Sequence, residues 1–150
     1  MANKVNLNEG KILDLTPQET KKEKLKRLFK DNGLVAEDVY KDKRGFIIIT
    51  RTGIDKIVAK HQILIQYEPV VIQLGLTDKA DQVVMRATGQ IGKDGVPVQT
   101  FGEASDKNLM GGAKSYPIAM AEKRAMARCV LKLTGFYQID GVFGEGEISD

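Results

Sequence analysis

The segment from Tyr116 to Gly135 constrains the fold more than any other part of the chain, because it reads as one helix with defined ends and two distinct sides. At 100° per residue, Ile118, Ala121, Ala125, Cys129 and Leu133 gather on one side, with Met126 and Val130 at its margin. That side requires a core to lie on. Arg124, Arg128 and Lys132 recur every four residues beside it, with Lys123 adjacent, so a helix docked on a sheet would carry cations along its flank. A row of cations on a surface helix is ordinarily a solvated face. Here Glu122 is the only acid between Ser115 and Tyr137, so the row lacks intrahelical partners that would neutralise it.

The sheet for that helix is legible just upstream. Val83, Met85, Ala87, Gly89 and Ile91 alternate with Gln82, Arg86, Thr88 and Gln90, until Gly92-Lys93-Asp94-Gly95 turns the chain into VPVQTFGEA. The spacing predicts a hairpin with its apolar face on the helix and Arg86 on the opposite face or its rim. Phe46 to Thr50 reads as a central strand, paired with Val39-Tyr40 across the KDKRG turn. Ile63 to Ile72 alternates until Pro69 interrupts it, which indicates an edge strand or a bulge. Thr52 caps a short helix running to about Gln62, in which His61 is structural. Thr16-Pro17-Gln18-Glu19 has the form of a capping box and predicts a Lys-rich surface helix from Pro17 to about Asn32. The loop SDKNLMGGAKS carries Lys107 and Lys114 beside Tyr116, so cations and an aromatic meet there.

The expected class is therefore α+β. A curved, hairpin-rich antiparallel sheet of about four to five strands is backed by a long C-terminal helix, with a basic helix at the N-terminal end. Residues 1–15 form an N-terminal arm, 16–137 a single nucleic-acid-binding domain, and 138–150 a flexible acidic tail. That tail holds Asp140, Glu145, Glu147 and Asp150 and no base, which leaves twenty-three bases against sixteen acids, a charge of +7, on the rest. A basic body with an acidic tail suits a nucleic-acid binder whose tail competes for the basic surface or recruits a partner. One cysteine, Cys129, and one histidine, His61, exclude a disulfide framework or a Cys/His zinc site within one chain. No apolar run reaches the ~20 residues of a membrane span, and MANKVNLNEG lacks the apolar stretch of a secretory signal. A cytoplasmic protein with no membrane association is expected.

Two motifs do not carry chemistry. Gly111-Gly112-Ala113-Lys114-Ser115 ends like a phosphate-binding loop but lacks the G-x-x-x-x-G-K-[ST] spacing. Asp78 and Asp81 have no third ligand at a useful position, so a structural turn accounts for them. No cofactor is implied.

Strand, hairpin, basic Gly-containing loop and then the helix AEKRAMARCVLKLTGF together resemble the core of the single-strand annealing protein superfamily, which includes the phage Erf and Sak branches and the eukaryotic mediator Rad fifty-two. The resemblance spans roughly residues 46–136. It implies a curved antiparallel sheet backed by a long basic helix, assembly into rings or helical filaments, and single-stranded DNA held in a basic groove. Aligning Gly135 places Lys132 and Arg128 on two groove-facing basic positions of the family helix, while a further basic position falls on Cys129. The implied function is sequence-independent binding and annealing of single strands in phage or mobile-element recombination, in the cytoplasm of a bacterial host. No catalytic residue is needed. Contact residues would be Arg124, Arg128, Lys132, Lys123, Lys114, Tyr116, Arg86 and Lys107. The partners would be DNA, further copies of the chain and, through the acidic tail, a nuclease or replication protein. A strand-protecting protein without annealing activity and a protein-interaction module are the alternatives.

Overall fold

The computed structural model describes residues 4–7, 11–14, 19–75 and 81–148. It is an α+β fold whose long C-terminal helix lies on an antiparallel sheet. Strands β1 (Lys4–Leu7) and β2 (Lys11–Asp14) form an antiparallel hairpin in a sheet of their own, within the stretch expected as an arm. Helix α1 (Lys21–Asp31) starts later than expected, and Thr16, Pro17 and Gln18 lie outside the described residues. The box that closes its first turn is Thr20 with Glu23. Thr20 Oγ1 accepts from the Glu23 N–H at 3.2 Å, and Glu23 Oε2 accepts from the Thr20 N–H at 3.1 Å.

Strands β3 (Val39–Lys41) and β4 (Ile47–Ile49) pair antiparallel across the KDKRG turn, whose Asp42 carboxylate accepts from the N–H groups of Arg44 and Phe46. Helix α2 (Arg51–His61) is capped by Thr50 rather than Thr52, since Thr50 Oγ1 takes the Gly53 N–H at 3.1 Å. Then come β5 (Ile63–Gln73), β6 (Gln82–Ile91) and β7 (Val98–Ser105), an antiparallel sheet in that order. β5 bulges between Pro69 and Val71, where proline cannot donate to a ladder. A 3-10 turn over Gly111–Ser115 leads into α3 (Pro117–Leu133), which has proline at its start, and Gly135 takes the left-handed φ of +86° just beyond its end. The sheet against α3 thus has three strands, not four to five, because β3 and β4 belong to a separate sheet.

The acidic tail is the main departure. Residues 142–144 form β8 (Val142–Gly144), which lies parallel to β4 and makes it the central strand of three. Val142 and Glu147 are buried, so this stretch is part of the core rather than a free recruiting segment. Its glycines argued for irregular structure, but Val142 and Phe143 supply apolar anchors that outweigh that tendency; Val142 enters the core and Phe143 meets Phe46 edge to face at 5.2 Å.

Helix α3 is buried on two sides. Ala121, Ala125 and Cys129 meet Val83, Met85, Ala87 and Ala104 of the sheet. Met126, Ala127, Val130 and Leu131 meet Ile49, Ile54, Ile57, Phe136 and Val142 on the other side. Leu133 is only half-buried and Ile118 is exposed, so the ends of the expected stripe run past the core. His61 bonds Asn32 Oδ1 at 2.7 Å, a structural role as expected. No helix among the described residues is long and apolar enough to cross a membrane.

Candidate nucleic-acid interface

The expected groove along α3 is closed by the molecule itself. Arg124 is 5% exposed, and its guanidinium donates to the carbonyls of Gly146, Glu103 and Asn108 and to Asn108 Oδ1, all at 2.8–2.9 Å. Burial pulls its pKa below the ordinary arginine value, and the neighbouring Arg128 charge adds to that. Arg128 donates from Nη1 to the Phe101 carbonyl at 2.6 Å and to Glu103 Oε1 at 3.1 Å, and from Nε to Glu147 Oε1 at 3.3 Å. Glu147 is held in turn by the Tyr137 hydroxyl and the Gly144 N–H.

The physical role of this pair follows from where its acceptors lie. β7 is the last strand of its sheet, and Phe101 and Glu103 are alternate residues whose carbonyls receive the two guanidinium groups. An open strand edge invites pairing with another chain. Arg124 and Arg128 seal this one from α3, and the tail locks them in place through the Gly146 carbonyl and Glu147. Of the four-residue recurrence that suggested a phosphate cradle, Arg124 and Arg128 are engaged at this edge, and Lys132 remains exposed.

The remaining expected contacts do not form one surface. Lys123 lies 3.6 Å from Glu145. Arg86 pairs with Glu68 across the β5–β6 ladder, on the sheet face turned away from α3, beside Phe101 in the next strand. Lys132 is exposed on the last turn of α3 and makes no ion pair among the described residues. Lys107 is exposed in the loop after β7. Lys114 and Tyr116, the latter 65% exposed, line a cleft of about 660 Å³ at the opposite end of α3, which Asp81, Glu122, Leu74 and Ile118 also line. Lys114 and Lys132 are therefore separated by the length of a 17-residue helix, roughly 24 Å. Asp81 accepts from the Gly75 N–H, and Asp78 lies outside the described residues.

No family model, curated protein or solved structure matches the chain. The functional reading therefore rests on the geometry alone.

Two features escaped the sequence. All six arginines are engaged within the molecule: Arg27 with Glu19 and Asp31, Arg44 with Asp42, Arg51 with Asp55, Arg86 with Glu68, and Arg124 and Arg128 as above. The exposed cations that make no ion pair among the described residues are all lysines. The other feature is the uncovered sheet face, where Gln66, Thr88 and Gln99 lie in one row and Glu68, Arg86 and Phe101 in the next. Phe101 is 45% exposed there. Alternation in VPVQTFGEA carried that signal, since Thr100, Gly102 and Ala104 must face α3 if the strand packs on it.

Tyr67 makes the site's alkaline limit testable. It packs between the two halves of the core, and burial pushes its hydroxyl from about 10 up to about 12, with Glu122 adding to the rise. A proton held more tightly in the folded chain stabilises fully below the unfolded value, and that stability is lost as pH climbs from about 10 to about 12. Urea midpoints measured across this window should fall, and Tyr67→Phe should flatten the fall. An identical pH profile for the variant would remove Tyr67 from the account.

Proposed function

We propose that this chain binds single-stranded DNA without sequence preference and brings complementary strands together, with no catalytic step. The observation that carries this reading is the division of labour between the two kinds of cation. Base-specific contacts favour the planar fork of arginine, and every arginine is already occupied. Lysine is a compact, hydrated point charge that answers a phosphate wherever it falls, and exposed lysines without carboxylate partners among the described residues remain on α1, after β7 and at the end of α3. Phosphate contacts position a strand without reading it. Assembly into a homo-oligomer belongs to the same proposal. A cytoplasmic location in a bacterial host is its natural setting.

Anisotropy of dye-labelled oligonucleotides tests it. Affinity should differ little between homopolymeric and mixed single strands, and log K should fall with log salt by a slope of about 0.7 per neutralised phosphate. Annealing of complementary strands should accelerate in the same salt range. No anisotropy change at about 50 mM salt would end the proposal.

One observation favours a protein-interaction module instead. While β7 is sealed, β5 is an 11-residue edge strand on which Leu64, Val70, Val71 and Ile72 are exposed, with Leu74 exposed just beyond it. Such an edge accepts an added strand from a partner. Pull-down of a protein by the wild-type chain, abolished by Ile72→Lys and unaffected by oligonucleotide, would select this reading.

A further inference from the structure

We propose that the phosphate backbone is contacted by helix α1, through the stripe of Lys22, Lys26 and Lys30, rather than by α3. This deepens the proposed function and rests on it. The three lysines stand four residues apart, so their Cα positions advance about 6 Å per step along one side of the helix. All three are exposed and none makes an ion pair or side-chain hydrogen bond among the described residues. The helix's own acids are turned elsewhere: Glu23 to the Thr20 N–H, and Asp31, with Glu19 just before the helix, to Arg27. The neighbouring side of the helix, through Leu25, Leu28 and Phe29, is fixed on the core, which leaves the stripe exposed along its flank.

Lys30 suits the dipole of the last turn, but the other two members of the stripe work against the helix that carries them. Like charges four residues apart repel one another, and Lys21 and Lys22 occupy the first turn, where the helix dipole disfavours cations. A polyanion laid along the stripe removes the repulsion and meets three charges in line. On α3, Lys123 and Arg128 face carboxylates and Arg124 is held by carbonyls, which leaves Lys132 as its one exposed cation without an ion pair among the described residues; on α1, Lys22, Lys26 and Lys30 stand in that state together.

The test compares two triple variants of the full chain by oligonucleotide anisotropy at several salt concentrations. One is Lys22→Gln/Lys26→Gln/Lys30→Gln. The other is Lys41→Gln/Lys60→Gln/Lys93→Gln, which removes the same charge from exposed positions elsewhere. The stripe variant should lose about 2 units of salt slope, three contacts at about 0.7 each, with a melting temperature equal to or above wild type. The control should lose clearly less. Wild-type binding with equal losses in both variants, or with neither losing slope, overturns the α1 assignment and leaves single-strand binding standing. Wild type that binds poly-glutamate but no oligonucleotide overturns both, and makes α1 a contact for an acidic protein.

Discussion

Arg124→Ala should destabilise the fold by about 3–5 kcal/mol, because the guanidinium is buried and donates to four acceptors on β7, the following loop and the tail. Truncation removes a donor from each of the carbonyls of Glu103, Asn108 and Gly146; Glu103 keeps a long bond from Asn108 Nδ2 at 3.5 Å. The effect should appear as a lower urea midpoint and a melting temperature reduced on the order of 10 °C. Arg124→Lys keeps the charge but has one donor head in place of a planar fork, and should recover only part of the loss. Because Arg124 bridges β7 to residue 146, amide exchange should accelerate together in β7 and β8, not in α2. A loss below about 1 kcal/mol would show that these bonds are replaced by water without penalty.

How much of this was legible in the sequence differs by element. The β6–β7 hairpin was plain, since a strand with one face on a helix must alternate and its GKDG turn is short. The α3 stripe was half legible: Ala121, Ala125 and Cys129 lie on the sheet as the wheel requires. Ala127 and Leu131 are equally buried, because β4, β8 and α2 pack on the far side, and Arg124 is buried against the end of β7 and residue 146. Nothing in a single helical wheel announces a second layer, and small residues such as Ala127 suit either a surface or a close contact. Arg124 and Arg128 show the limit most clearly. Counting acids within a helix reveals only intrahelical partners, whereas their partners are main-chain carbonyls on β7 and a carboxylate 19 residues later. The tail was misread for the same reason: parallel pairing with β4 is non-local, and local composition does not report it.

One contrast organises the candidate surface. Of the two outer edges of the α3-backed sheet, β7 is closed by guanidinium groups and β5 is left open with apolar side chains exposed. Sealing one edge and exposing the other directs any strand addition to β5, which keeps assembly away from the tail and its buried Glu147. The lysines of α1 lie on neither edge, so an oligomer built through β5 and a strand held on α1 would not compete for one surface.

Gly102→Ala should cost about 3 kcal/mol, near the top of the overpacking range. Gly102 faces α3 at the point where strand and helix come nearest, as the Thr100 Oγ1 bond to the Ala125 carbonyl at 2.8 Å also shows. A Cβ placed there would lie 2.1 Å from the Ala121 oxygen and 2.5 Å from the Ala125 nitrogen. Both are main-chain atoms, so no side chain can rotate away, and β7 must retreat by roughly 1 Å to restore ordinary contact. That retreat carries the Phe101 and Glu103 carbonyls away from Arg128 and Arg124, so packing and edge seal are lost together. Gly112→Ala is the matched control: the added methyl meets nothing within 4 Å, and its stability should stay within about 0.5 kcal/mol of wild type. The double variant Gly102→Ala/Arg124→Ala should fall short of the sum of the singles, because each already breaks the contact the other needs. Additive losses, or a Gly102→Ala protein that melts with the wild type, would mean that β7 and α3 do not meet backbone to backbone and that the arginine row has some other purpose than holding that edge shut.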